Sequence, residues 1–434
     1  MRVWLFSGAK IGVGKVGRWC ILKVMRRRLK RLVTLILMRH SFLTLTTLVF
    51  AAGVMGAAGA FSDDSGPGKK KKKGDSPGDW CETLQDIGKL YDVKQKKNPY
   101  IQEVEIFGRY QQQWFYSDGT DRGRSFNGYG QQLRRLRFGA SVKFFDRWEL
   151  QGRINLENGS FNDDRIRHDD FDTLVISYES KDIGILDEPF WGYGLTKIDF
   201  GGEWAVSSRR IKTVERSNLA NIYRPSRATG FFGGFEIEKF DFLWGFFSTR
   251  EQNYSLADWD GGRGFFASVE TKLWGGKIRA DYMHVDAGDD EDEIFGYDWA
   301  ASLTYEGEAG RWEFLLNAIY GSEEDGDTYG FVFLPSTYLI EDKLELVFRY
   351  QWAQSTGLDL RPGRRNNMSP RAVALEDGVI VAQGDDNHSY YGGLNYYFCE
   401  DNLKLMLGVE YETLTGGITD FEATTAWGAL RFYF

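Results

Sequence analysis

Residues 342–354 read DKLELVFRYQWAQ. Leu344, Leu346, Phe348, Tyr350 and Trp352 fall on one parity, and Lys343, Glu345, Val347, Arg349 and Gln351 on the other. A repeat of two is the side-chain period of a β-strand, so this stretch describes a strand with one apolar and one polar face. The same alternation runs through WELQGRINLEN (148–158), RWEFLLNAIY (311–320) and NLKLMLGVEYE (402–412). Sixteen such segments fit between residues 103 and 434, the fifth at 194–206 and the sixth at 228–238.

The connections alternate in length. Residues 145–147, 239, 274–275, 307–310, 341 and 400–401 form short turns, while 118–132, 287–295 and 355–386 form long polar loops. An even number of one-side-apolar strands with alternating short and long links predicts an all-β fold: a 16-stranded antiparallel transmembrane β-barrel. The 181–193 link is long for a turn, and Pro335 sits awkwardly inside a strand. Aromatics near strand ends, such as Trp148, Trp274 and Trp312, suit interfacial girdles. The last strand, WGALRFYF (427–434), puts Leu430, Phe432 and Phe434 on one face and Arg431 and Tyr433 on the other. It ends on Phe, as outer-membrane barrels present their final strand for assembly.

The N-terminal text supplies an export route. From Met38, Arg39 and His40 precede an apolar run from Phe42 to Met55, then Ala58-Gly59-Ala60 before a polar segment. This is the layout of a signal peptide at 38–60. Residues 1–37 read as an upstream extension from a misassigned start. Residues 61–100 read as a periplasmic linker with a run of five lysines and a short amphipathic helix within 80–97, leaving 101–434 as the barrel domain. Positions 1–60 hold 11 Lys and Arg and no acid, so the remainder carries 43 basic and 62 acidic residues, a net charge of −19. Such an acidic surface argues against nucleic acid as a partner.

At sixteen strands a barrel is too wide for side chains to fill, which predicts an aqueous lumen. Arg135, Arg137 and Lys143 on one strand, Arg153 on the next, and Arg349 are predicted to line it, together with Glu149, Glu157, Glu345, Glu410 and Glu412. The link between the fifth and sixth strands, SSRRIKTVERSNLANIYRPSR (207–227), then stands out, with five arginines and one lysine against Glu215 alone.

That link carries a resemblance. EWAVSSRRIKTVERSNLANIYRPSRATGFFGG (203–234) and QLRRLRFGASVKFF (132–145) resemble the phosphate-selective porins O and P. The resemblance implies an outer-membrane channel, typically trimeric, whose third loop folds into the lumen and draws anions through a constriction. Carried over residue by residue, the anion-binding role falls on Arg209, Arg210, Lys212, Arg216, Arg224 and Arg227, with Glu215–Arg216 as an alternative structural ion pair. The implied partners are phosphate, polyphosphate and chloride, outer-membrane lipid and two further copies of the chain, with no cofactor, no metal and no catalysed reaction. A non-selective or weakly cation-preferring diffusion porin is the alternative, since several acids face inward beside the bases. A lipid hydrolase built on His168 or His388, or a surface-interaction protein, stands behind both. Arg361, Arg364, Arg365 and Arg371 could form a second basic funnel, the acidic DAGDDEDE (286–293) a cation-collecting loop, and Cys81 and Cys399 a disulfide under the barrel.

Overall fold

The computed structural model describes residues 79–92, 98–121, 123–157, 166, 170–225, 227–249, 262–286, 297–323, 326–357, 360–362, 383–417 and 420–434. The expected extension and signal peptide, most of the expected linker, His168, all but the first residue of the acidic stretch 286–293, and Arg364, Arg365 and Arg371 lie outside these residues.

A short helix α1 (Asp79–Asp86) and strand β1 (Lys89–Asp92) precede the barrel. The barrel strands are β2 (Ile101–Asp121), β3 (Arg124–Phe144), β4 (Trp148–Asn155), β5 (Phe171–Glu179), β6 (Asp187–Lys197), β7 (Arg227–Ile237), β8 (Phe240–Ser248) and β9 (Arg263–Leu273). They continue as β10 (Gly276–Asp286), β11 (Trp299–Ala309), β12 (Trp312–Glu323), β13 (Gly326–Ile340), β14 (Leu344–Ser355), β15 (Asp386–Cys399), β16 (Leu403–Thr415) and β17 (Phe421–Tyr433). Each pairs antiparallel with its successor, and β17 pairs with β2 from Phe421↔Asp121 to Tyr433↔Arg109. The sixteen strands therefore form a closed antiparallel barrel. Closure leaves no lateral sheet edge exposed to lipid, where an unpaired amide would be costly.

The predicted parity holds. Phe348, Leu407, Val409 and Tyr411 are exposed, while Glu345, Arg349, Gln351, Glu410 and Glu412 are buried on the opposite face. Short turns use positive φ outside glycine, as at Phe145 (49°) and Asp146 (66°), and at Trp274 (53°) followed by Gly275 (78°). Two successive residues with positive φ match the twist of tight hairpins.

Four boundaries differ from the sequence reading. β2 runs on to Asp121 and β3 begins at Arg124, so most of 118–132 is paired strand rather than loop, because its apolar parity persists: Phe126 stacks on Phe421 at 6.0 Å. The 181–193 link shortens because β6 begins at Asp187. The fifth barrel strand ends at Lys197, so 198–206 leaves the sheet. The chain turns off at Gly201 (φ 76°), and a Cβ on Gly202 would stand 2.6 Å from Thr304, a space only glycine fits.

The predicted helix over 80–97 stops at Asp86, and Leu90 and Tyr91 belong to β1. A Cβ on Gly88 would lie 2.0 Å from the Ile106 carbonyl, and that closeness allows strand pairing there. Ile106 N donates to Gly88 O at 2.8 Å, and Gly108 N to Phe434 O at 3.1 Å. β1 thus continues the seam along β2 where β17 runs out, satisfying amides that would otherwise lack partners. Cys81 and Cys399 are disulfide-bonded, with Cα atoms 5.4 Å apart, which pins α1 to the end of β15.

The inner face is less wet than the sequence suggests. Met283, Ile319, Val332 and Val347 share the face of Asn317 and Gln351, and with Tyr297 they join Leu219, Ile222 and Tyr223 in one buried apolar cluster. The last three residues come from the link between β6 and β7.

Candidate functional site: the link between β6 and β7

Residues 198–226 contain two short helices, α2 (Gly202–Ala205) and α3 (Asn218–Ile222). Ser217 caps α3 by accepting from Ala220 N at 3.1 Å, and it donates to the Glu203 carboxylate. All five α3 residues are buried. Leu219 and Ile222 enter the apolar cluster, while Asn218 N donates to Gln351 Oε1 at 2.9 Å. This patterning seats an otherwise polar link on the sheet.

Backbone outside a sheet leaves carbonyls without partners, and buried ones need donors. Side chains of the barrel strands supply them here. Arg431 donates to Ser208 O at 2.8 Å and to Val214 O at 2.6 Å. Arg349 donates to Glu215 O at 2.7 Å, Lys404 to Ile211 O at 3.2 Å, and Asn395 to Lys212 O at 2.8 Å. Arg109 reaches Ser208 Oγ at 2.7 Å, and Gln111 reaches Ser208 O at 3.2 Å. At the start of the link, Gly201 N and Gly202 N donate to Asp281 and Asn317 at 3.0 and 3.2 Å. These anchors come from β2, β10, β12 and β14–β17, and Lys197 of β6 adds bonds to Trp204 O and Ala205 O at 2.8 and 3.1 Å.

The six predicted anion-binding residues separate into distinct roles. Arg216 folds back onto its own link, donating to Glu203 O at 2.7 Å and Val206 O at 2.6 Å, with its guanidinium 4.7 Å from the Trp204 ring centre. The suggested Glu215–Arg216 pair is replaced by other partners: Glu215 accepts from Arg134 Nε at 2.8 Å and Gln113 Nε2 at 2.9 Å. Burial raises the Glu215 carboxyl, but Arg134 and Arg135 outweigh it and hold it at about 2. Lys212 lies between Glu313 (2.6 Å) and Glu345 (2.9 Å). Arg209 donates to Asn402 beside the Tyr433 ring, and Arg224 stands 5.4 Å from the Trp204 ring. Arg227 opens β7 and pairs with Asp172 at 2.5 Å. Arg210 is exposed and lines a cavity of about 450 Å³ with Lys212, Lys272, Lys277, Glu306, Glu308 and Glu313.

The predicted wall residues also find partners. Arg135 donates to Gln111 Oε1 at 2.7 Å, Arg349 pairs with Glu410 at 3.0 Å, and Lys143 stands opposite Glu103 and Glu149 in the register. Arg137 (2.7 Å) and Arg153 both bind Asp172. Asp172 was not singled out from the sequence, nor were Arg109, Arg134 and Lys404. Arg134 and Asp172 share a cause, because both sit at β-bulges. Register shifts place Gln111↔Arg135 beside Gln112↔Leu133, and Arg153↔Thr173 beside Ile154↔Phe171, leaving one extra residue each time. A bulge re-aims a side chain that strict alternation would send to the other face.

His388 bonds Tyr350 OH at 2.9 Å and Asp386 at 3.2 Å, whereas adjacent Ser389 is buried on the other face and donates to Glu410 at 2.6 Å. The two side chains face apart, which rules them out as a nucleophile and its base. Arg361 contributes its carbonyl to Asn218 Nδ2 at 2.8 Å.

The family model described as phosphate-selective porin O and P matches residues 104–273, which include the two bulges, the Asp172 cluster and the whole link. Over that segment the chain is similar to this family. Two solved structures share its barrel fold. The anion-selective porin from Comamonas acidovorans is 12% identical, covers 76% of this chain and 99% of its own, and superposes with a TM-score of 0.51. Pseudomonas putida OprB, in its high-pH structure, is 13% identical, with 82% and 97% covered and a TM-score of 0.51. No curated protein matches the sequence.

Proposed function

We propose that this chain is an outer-membrane porin that conducts small anions passively, inorganic phosphate and polyphosphate among them, through a lumen narrowed by the link 198–226, and that it assembles as a homotrimer, as the resemblance implies. The observation that carries the reading is the group Arg137, Arg153 and Arg227 around the single carboxylate of Asp172, with Arg109 directly opposite Arg137 in the register. The partners of the link lie on β2, β3, β6 and β10–β17, so Arg137, Arg153 and Arg227 border the arc of β4, β5 and β7–β9 left for passage. In a narrow, low-dielectric channel a few such charges dominate the local field. The acidic exterior does not cancel them, because the screening length at physiological salt is about 8 Å. Guanidinium forks suit phosphate oxygens, and rings of Arg and Lys are a recurrent device of anion pores. Arg210 and Lys212 would add cations at the cavity beside the short-turn end.

The acids around that cavity favour weak selectivity over a strict phosphate filter. Reversal potential in a planar bilayer under a KCl gradient, with phosphate then competing against chloride, decides between them. The expected result is a chloride preference that falls when Arg137 and Arg153 become Gln, and falls less when Arg209, Arg210 and Lys212 do. A potassium preference in the native protein would overturn the reading.

A further inference from the structure

Asp172 is an anomaly on a wall built to attract anions. Its side chain is 1% exposed, and guanidiniums from three strands converge on it. Arg137 and Arg227 reach Oδ1 at 2.7 and 2.5 Å, and Arg153 meets Oδ2. Arg227 also donates to the Asp172 carbonyl at 2.7 Å, and Arg153 to Thr173 Oγ1 at 3.0 Å. The three guanidinium-bearing side chains stay 13 to 20% exposed, so they keep a water-facing side. Several forks donating to both oxygens of one anion is the arrangement by which arginines hold a bound phosphate or carboxylate. Here the chain supplies the anion itself, and only through a bulge, since regular alternation would turn Asp172 to the opposite face.

We propose that Asp172 is a built-in counter-anion: it occupies the place a passing oxyanion would take among Arg137, Arg153 and Arg227, and so keeps this wall attractive without letting it trap phosphate. The role rests on the anion-channel reading and sharpens it. A pore must bind weakly enough to release what it admits. Three guanidiniums with no resident carboxylate would make a chelating site, whereas with Asp172 in place they retain a positive surplus and no vacant centre.

The test is chloride single-channel current through the full-length protein, titrated with inorganic phosphate. In Asp172→Ala, the phosphate concentration that halves the current is expected to fall at least about tenfold, as when one charged hydrogen-bonding position becomes available. The double variant Asp172→Ala/Arg153→Gln removes one charge of each sign and leaves the cluster's net charge unchanged. It too is expected to be blocked more tightly than the native channel, which separates an occupied position from a change in field. Asp172→Glu, which keeps the carboxylate, is expected to block like the native channel. Unchanged block in both vacated variants would overturn the role. So would an equal shift in Asp172→Glu, or failure of both vacated variants to form channels, because Asp172 would then serve folding alone. Native reversal potential is read from separate traces, so a failure of the anion-channel reading is distinguishable from a failure of this one.

Discussion

Arg431 offers the sharpest test of how the link is held. Its guanidinium is buried and donates to two carbonyls of the link, Ser208 O at 2.8 Å and Val214 O at 2.6 Å. Arg431→Met keeps most of the aliphatic stem and removes both donors. A hydrogen bond from a charged group contributes about 1.5–3 kcal/mol, and loss of two from one side chain is not additive, so about 3 kcal/mol is a reasonable total. The other anchors remain: Arg349 to Glu215 O, Lys404 to Ile211 O, and α3 in the apolar cluster. The segment 207–215 should therefore open locally while the barrel stays closed. At 1.4 kcal/mol per decade, amide exchange in that segment should accelerate on the order of 100-fold, with exchange in β14–β16 unchanged. Single-channel recordings should show more open-channel noise and a higher mean conductance. Unaltered exchange at 207–215 together with native conductance would refute the idea that Arg431 fastens the link.

Two further outcomes follow from the same geometry. Glu215 is held at about 2 against an ordinary 4.5, so its pairing with Arg134 contributes fully above about pH 4.5 and is lost as pH falls toward 2. Conductance noise should rise over that window in the native channel, and Glu215→Gln should show the raised noise already at pH 7. Cys399→Ser should free α1 and β1 from the end of β15, so that limited proteolysis trims residues 79–98 while the barrel still runs as a heat-modifiable folded species. Resistance of that segment equal to the native protein would show that strand pairing with β2 suffices to hold it.

Period-two alternation and tight-turn spacing are local properties, and they were enough to establish strand number, the face each side chain takes on regular strands, and the closed barrel. Arg349, Glu345 and Glu410 lie on the inner face as DKLELVFRYQWAQ and NLKLMLGVEYE require. Unusual charge density in 207–227 likewise marked the link, because no regular strand concentrates six cations against one acid. The partners of those cations were not legible. Glu313 and Glu345, which pair with Lys212, lie more than 100 residues away, and only the closure of the sheet brings them together. Bulges were equally hidden, since an extra residue exists only relative to the neighbouring strand's register; Arg134 and Asp172 change face for that reason. The sequence by itself decided that the barrel wall alternates and that one link is basic. Tertiary structure decided which positive charges hold the link's carbonyls, which gather around Asp172, and which remain exposed, because those choices depend on distances across the lumen that no local repeat encodes.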